Sequence, residues 1–409
     1  MQIQPILAAL KRHKAGTILI ALQIALTLAI VCNALFIIKQ RVTHLSRATG
    51  IDEQNIISVR NQWVGKPPSQ QVSGLTATDL TALRQIPGVI DVYSTNSYPL
   101  RQGGWSEGLD YKPNQDHSTA HTAIYFSDEH TLNTLGLKLV EGRNFRADEI
   151  GRMDMRDKLA PPTIIVTREL AHKLYPDGSA LGKVLYLSNN PTTIVGVVDR
   201  LEVPWVDTWA SPWAEQTTLV PVRLAMSLGS FYLIRTQPGQ LDTVAKQVSK
   251  TLYGVNRMRV IDPKDGVQSF SQIRAKAYAR DRGMAILMGV VCVVLLAITA
   301  AGIVGLTSFW VGQRRKQIGV RRALGATHHD ILSYFLTENL LISLGGVIVG
   351  ALLAIGMNMW MVSHFEMARL SPTYVLAGVV VLLLLGQAAV LAPALRASRV
   401  PPVEATRSV

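Results

Sequence analysis

Charge is scarce in this 409-residue chain: 17% of residues are Asp, Glu, Lys or Arg, against an apolar share of 48%. Soluble domains usually hold about 25% charged residues. The deficit excludes a disordered chain and argues against a wholly soluble one. It is also unevenly spread. The stretches 17–38, 284–311, 340–362 and 372–395 contain no charged residue at all. A bilayer core about 30 Å thick takes about 20 apolar residues at about 1.5 Å rise each, so each stretch is long enough to cross. Cysteine is nearly absent. Cys32 and Cys292 are the only two, and both lie in charge-free stretches. No disulfide can therefore staple the long segment 39–283, which must be held by its own core. Acidic residues are few as well, 28 against 41 basic ones, for a net charge of +13.

These absences predict a membrane protein with four transmembrane α-helices and a large α+β extracytoplasmic domain between the first and second spans. The first stretch follows Lys11, Arg12 and Lys14. A secretory signal would have an apolar stretch of about 7–15 residues and a small-x-small cleavage site. Here the apolar run continues into Ile37-Ile38-Lys39, which favours an uncleaved anchor. Basic residues in short segments set orientation. The segment 1–16 carries +3, 312–339 carries +3 and 396–409 carries +2, whereas 363–371 is neutral. Both termini and 312–339 are thus expected in the cytoplasm, and 39–283 outside. Residues 3–10 are apolar and precede Lys11–Lys14, so 1–16 reads as an amphipathic segment at the membrane surface.

Strands are predicted at Asn55–Arg60, Val89–Tyr93, Thr122–Phe126, Thr163–Thr167, Thr193–Val198 and Phe231–Arg235, where β-branched or aromatic runs meet turn residues. Helices are predicted at Thr76–Gln85, Ser127–Leu135, Thr167–Tyr175 and Gln240–Leu252, the first from a Thr76-x-x-Asp79 capping pattern. Residues 101–121 are Gly-rich and polar and read as a loop. Two lobes are plausible on this pattern.

Few residues offer chemistry. Gly178 to Gly182 has three residues between its glycines and Lys183-Val184 after them, which does not make a phosphate-binding loop. His117 and His121 lie four apart beside Asp116 without a third-ligand pattern, so a solvated surface is favoured over a metal site. Trp205, Trp209 and Trp213 recur every four residues, but Pro204 and Pro212 argue against a continuous helix. Two readings stay open for them: rings that pack into the core or pin a loop, and an exposed surface that touches a partner, a substrate or the outer leaflet. Within the spans, Gln23 and Thr27 lie one turn apart and Gly346-x-x-x-Gly350 forms a small face, as helix packing in lipid uses. Glu338 sits at the edge of the third span, either in the interface or paired with a basic residue of 314–322. No catalytic set has a recognisable spacing.

Segment 313–346 is the most distinctive. It contains Gln-Arg-Arg-Lys-Gln followed by Ile318-Gly-Val-Arg-Arg-Ala-Leu-Gly-Ala326. This resembles the cytoplasmic loop of the MacB/FtsX type of ABC transporter permease. Leu135 to Phe145, Glu169 to Pro176, Ala180 to Lys183, Ile194 to Val198 and Pro393 to Arg407 resemble other stretches of that family. Gln317 departs from it, because the family usually has an acidic residue there. The resemblance implies a non-catalytic permease subunit without a cofactor of its own. Its MacB branch carries an ATPase on the same chain, but the 58 residues expected in the cytoplasm cannot hold one. A separate cytoplasmic ABC ATPase dimer would bind ATP and Mg. Arg314, Arg315, Gly319, Arg321, Arg322, Ala323, Leu324, Gly325 and Ala326 would meet that ATPase, with Ile318, Leu324, Ile331 and Leu332 as an apolar face and the glycines allowing close approach or a turn. Further expected partners are membrane lipids and a second permease chain, the same or homologous. A periplasmic adaptor and an outer-membrane channel fit the family's habit, and nucleic acid does not. The implied mechanism is mechanotransmission: ATP hydrolysis moves the outer domain to export or extract a substrate from the periplasmic side. The alternative is an FtsX-like regulator or sensor that switches an envelope enzyme or reports a ligand.

Overall fold

The computed structural model describes residues 14–65, 67–154, 157–226, 229–365 and 369–401. Of the amphipathic segment expected over 1–16, residues 1–13 lie outside these residues and 14–16 open the first span helix; the tail from 402 onwards also lies outside. The described chain forms two compact units, one of the spans and one of residues 46–280.

Among the described residues, the span unit has four helices long and apolar enough to cross a membrane: α1 (Lys14–Leu45), α7 (Ala279–Gln313), α9 (His328–Phe365) and α10 (Pro372–Ser398). Helix α1 runs through the middle of the packing. Its Ile20, Ile24, Leu28 and Cys32 join Ile303 of α7, Ile342 and Ala354 of α9, and Leu382 and Val390 of α10 in one buried cluster. Small residues permit the approach. A Cβ built on Gly346 would lie 2.9 Å from the Ala21 carbonyl oxygen, and one on Gly350 would lie 2.8 Å from that of Ala25. Two polar side chains of α1 find partners on α7, as helix packing in lipid uses. Gln23 Nε2 donates to the Ile298 carbonyl at 3.0 Å, and the Thr27 and Thr299 hydroxyls meet at 2.8 Å.

Residues 46–280 form two lobes. The first has a mixed-order antiparallel sheet of β12 (Arg259–Val260), β1 (Ile56–Trp63), β11 (Ser230–Thr236) and β2 (Val89–Thr95), with β13 (Val267–Ser269) also on β1. Helices α2 (Ser69–Arg84) and α5 (Leu241–Val255) cross between these strands, which is the split βαβ arrangement. Leu80 and Leu83 of α2 and Val244, Val248 and Leu252 of α5 close the core over Ile57, Val59, Val92 and Ile234. Beneath them lies a fully buried ion pair. Arg259 Nη1 and Nη2 each donate to an Asp79 carboxylate oxygen at 2.8 Å, and the Tyr232 hydroxyl donates to the same carboxylate at 2.7 Å.

The second lobe is inserted between β2 and β11. Strands β3 (Trp105–Asp110), β4 (Ala120–Ser127), β7 (Thr163–Thr167), β8 (Val184–Leu187), β9 (Asn190–Val198) and β10 (Thr217–Ala225) pair in a ring, because β10 meets both β7 and β4. The sheet therefore closes on itself and leaves few free edges. Phe126, Ile164, Val166, Leu185, Ile194 and Val220 fill its interior, and α4 (Arg168–Leu174) adds Leu170 and Leu174. Short strands β5 (Leu139–Gly142) and β6 (Gly151–Asp154) extend it, and α3 (Thr131–Leu135) follows β4.

Three local expectations need correction. The Gly-rich stretch 101–121 contains β3, in which Leu109 is buried and Trp105 packs edge-on to Phe126 at 5.1 Å. Helix α2 starts at Ser69, seven residues before Thr76, so Asp79 is no cap: its carboxylate is spent on Arg259. Ser127 still belongs to β4, and helix starts only at Thr131, after a turn in which the Asp128 carboxylate accepts from the His130 backbone N–H at 3.0 Å.

Candidate functional site

Helix α7 ends at Gln313, and a short helix α8 (Arg315–Ala323) turns off it before α9 begins. The sequence dictates both ends of this connection. Gly325 has φ +100°, a conformation that L side chains rarely adopt. It lets the Gly325 N–H reach the Arg322 carbonyl at 3.2 Å and the Ala326 N–H reach the Arg321 carbonyl at 3.0 Å. This is the paired bonding of a Schellman turn, which satisfies the last carbonyls of the helix. Among the described residues nothing lies within 4 Å of a Cβ built there, so Gly325 serves the turn. Thr327 and Asp330 then open α9 reciprocally: the Thr327 N–H donates to Asp330 Oδ2 at 2.9 Å, and the Asp330 N–H donates to Thr327 Oγ1 at 3.2 Å.

The arginine row divides into inward and outward members. Arg314 is buried, and its Nη1 lies 3.1 Å from both oxygens of Glu338, which places Glu338 in an ion pair inside the span unit. Arg321 lies over the Tyr334 ring at 4.9 Å. Arg322 donates to the Ala326 carbonyl at 3.2 Å and meets His328 Nε2 at 3.1 Å. Arg315, Lys316 and Gln317 lie on the exposed side of α8, and Gly319 is buried. The expected apolar face is mostly used up internally, since Ile318 and Ile331 are core residues and Leu332 packs against them. Leu324 is the exception, at 83% exposed, next to exposed Ala323. The site is thus an apolar knob on a basic helix, pinned by internal contacts on its other side.

The tryptophans divide between packing and exposure. A 3-10 helix, Thr208–Trp213, places Trp205, Trp209 and Trp213 with ring centroids 5.3–5.6 Å apart. Trp205 and Trp213 pack on Ala123, Val203, Ala210 and Ala214, whereas Trp209 is 55% exposed. The rings fill the space among themselves, so they form no open aromatic cage. His121 sits against Trp213 at 6.0 Å, and no cluster of three metal-binding side chains occurs among the described residues.

Among the described residues, two arginine ion pairs tie helices of the span unit together. Arg314 with Glu338, one of the two alternatives the sequence left open for that carboxylate, is one. The other is Arg41 Nη1 with Asp281 Oδ1 at 2.6 Å, joining the ends of α1 and α7.

Comparison with known proteins bears on the whole arrangement. Residues 17–251 match the MacB-like periplasmic core domain, and residues 289–402 match the FtsX-like permease C-terminal family. A macrolide export ATP-binding/permease protein MacB 1/2 from Paracoccus denitrificans is 25% identical over 411 residues, covering 98% of this chain and 57% of that protein. The uncharacterized ABC transporter permease YknZ of Bacillus subtilis is 23% identical over 83% of this chain and 81% of its own length. The crystal structure of the periplasmic region of MacB from Actinobacillus actinomycetemcomitans aligns over 57% of this chain and 97% of that region, at 15% identity and a TM-score of 0.34. The chain spans 41–59% of the length of the MacB relatives it matches. The match to the core domain covers more than half of the chain, and with the four spans and the permease match it makes the chain a multipass inner-membrane ABC transporter permease of the MacB/FtsX type.

Proposed function

We propose that this permease transmits the work of a separate cytoplasmic ABC ATPase dimer, which binds the ATP and Mg, to its domain on the other side of the membrane. Helix α8 docks on the ATPase, and its displacement passes along α7 and α1 into residues 46–280. Both termini and α8 face the cytoplasm in this reading, in line with the basic residues flanking the short segments. The observation that carries it is the 83% exposed Leu324 at the tip of a basic helix held by the Gly325 turn. An exposed leucine on an ordered turn is suited to a groove on a partner, and burying it there is worth about 1.5–3 kcal/mol. Exposed Arg315 and Lys316 would face acidic residues at the rim of that groove.

Export or extraction from the outer side is the favoured outcome of the movement. Relatives named for macrolide export support this reading, as does the lack of charged residues in the four core stretches, since paths for polar solutes through the bilayer usually carry some. A second permease chain, a periplasmic adaptor and an outer-membrane channel would complete the assembly. The test is purification of the full chain from its native membrane in mild detergent, comparing wild type with Leu324→Asp. Wild type should bring down an ATPase, and the variant should recover about ten-fold less or lower. Equal recovery with unchanged ATP hydrolysis would contradict a docking role for α8.

A further inference from the structure

An arginine ties the segment that leaves α1 directly to the helix that leads into α7, beside the β1–β13 pairing and the Arg41–Asp281 pair. Helix α6 (Phe270–Ala277) ends one residue before Tyr278, and α7 begins at Ala279. On α6, Arg274 Nε donates to Glu53 Oε2 at 2.7 Å and Nη2 donates to Glu53 Oε1 at 2.6 Å. The same Nη2 donates to the Arg47 carbonyl at 2.9 Å, two residues past the end of α1. A guanidinium that grips both oxygens of a carboxylate fixes direction as well as distance. With side chains about a quarter exposed, Arg274 and Glu53 are screened less than a surface pair.

The gripped segment touches both lobes of the domain. The Thr49 carbonyl accepts from the Glu202 N–H at 2.9 Å, and the Asp52 N–H donates to the Leu135 carbonyl at 2.9 Å, both in the inserted lobe. Asp52 also pairs with Arg235 of β11 at 3.1 Å, and β1 of the sheet lobe begins at Ile56. Thr49 Oγ1 donates to Glu53 Oε1 at 2.5 Å, which holds the acceptor for Arg274 in place. Residues 47–55 therefore meet α6, the inserted lobe and the open sheet within a few residues of a span in sequence.

We propose that Arg274 is a positioning residue for force transmission: by gripping Glu53 and the Arg47 carbonyl it makes the chain's exit from α1 and its entry to α7 move as one, so that both lobes follow the spans together. This rests on the mechanotransmission reading above. Without the grip, α6 and the 47–55 segment would be joined only indirectly, through the β1–β13 pairing and the Arg41–Asp281 pair, and displacement at α8 would reach the lobes weakened.

The experiment is hydrogen–deuterium exchange on the full chain, co-purified with its ATPase, with ADP or with ATP plus vanadate. In wild type the nucleotide should change exchange in α8 and in residues 46–280. Arg274→Glu and Glu53→Arg should each keep the α8 response and shrink the domain response at least about five-fold. Combining them, Arg274→Glu with Glu53→Arg, should restore most of it. Protection of β1 and β11 amides equal to wild type separates this loss from unfolding. If Arg274→Glu does not fold, Arg274→Lys decides, because it keeps the charge and loses the fork; a domain response equal to wild type in that variant overturns the proposal. An undiminished domain response in folded Arg274→Glu also overturns it, as does a folded exchange double variant without recovery. Absence of any α8 response in wild type sinks the coupling reading itself, an outcome distinct from both.

Discussion

At the scale of single residues, the same residue type serves opposite ends. Arg314 is buried against Glu338, Arg321 covers an aromatic ring and Arg322 caps a carbonyl, although all three stand in one basic run. Local charge density signals the run but not which members turn inward, because the partners Glu338, Tyr334 and His328 lie on the next helix. Gly325, by contrast, is legible from sequence as a helix stop, and the geometry supplies the reason. Gly325→Ala should cost about 1 kcal/mol in the turn and raise exchange of the 325 and 326 amides roughly five-fold. Unchanged exchange would show that the turn does not depend on glycine. Glu202 is a residue that no pattern marks. Its side chain is fully buried, neither carboxylate oxygen has a hydrogen bond among the described residues, and Arg47 stands 3.7 Å away. Burial pushes its acid up from 4.5 to about 7, against the pull of Arg47 and Arg274 and with a push from Glu215 and Glu53. The folded state then keeps a proton that the unfolded chain gives up, so the contribution to stability is full below pH 4.5 and is lost as pH rises through about 7. Glu202→Gln should remove that slope, leaving the variant more stable than wild type at pH 8 by up to about 3 kcal/mol and equal to it near pH 4.5. Thermal melts of the full chain at the two pH values check this, and parallel losses for both proteins would refute it.

At the scale of elements, β-branched runs with turn residues at their ends were sufficient to locate β1, β2, β4, β7, β9 and β11 within a few residues. Other elements were hidden for physical reasons. Strand β3 is diluted by Gly108 and polar neighbours, and it is held by pairing with β4 and β8 on either side. Strand β10 carries Pro221, which lacks an N–H. That proline sits at the last register position against β4, just before β10 passes to β6. The start of α2 is obscured by Gly74 in its interior; Leu80 and Leu83 pack under the sheet, and Val72 packs with Trp63 and Ala225. In the spans, the Gly346 and Gly350 face reads directly as a packing seam, and α1 is what fills it. Backbone atoms of Ala25 lie 2.8 Å and 2.9 Å from a Cβ at Gly350 and cannot swing away. Gly350→Leu should therefore destabilise the chain by about 1–3 kcal/mol, lowering its melting temperature in detergent by several degrees. Gly356→Leu, where nothing lies within 4 Å, is the matched control and should melt like wild type. Equal melting of the two variants would contradict the seam.

At the scale of the whole molecule, composition separated spans from domain, and family resemblance supplied the functional reading that composition lacked. The long-range ties could not be read from sequence: Arg41 and Asp281 lie 240 residues apart, and Arg274 and Glu53 lie 221 apart. Both pairs stand beside the two places where the chain passes between the span unit and residues 46–280. In the proposed reading, α8 as a docking helix, two spans and this tied junction would act in series. The central claim is that nucleotide at the partner ATPase moves the domain through α8. Its most direct measurement is the pulsed-EPR distance between nitroxides at Asp116→Cys and His364→Cys, both exposed positions, in the reconstituted complex. The native Cys32 and Cys292 are buried, so background labelling is low. The account predicts that the distance distribution shifts between ADP and ATP plus vanadate, and that Leu324→Asp abolishes the shift. A distribution that stays the same while the ATPase turns over, or one that shifts equally in Leu324→Asp, would contradict it.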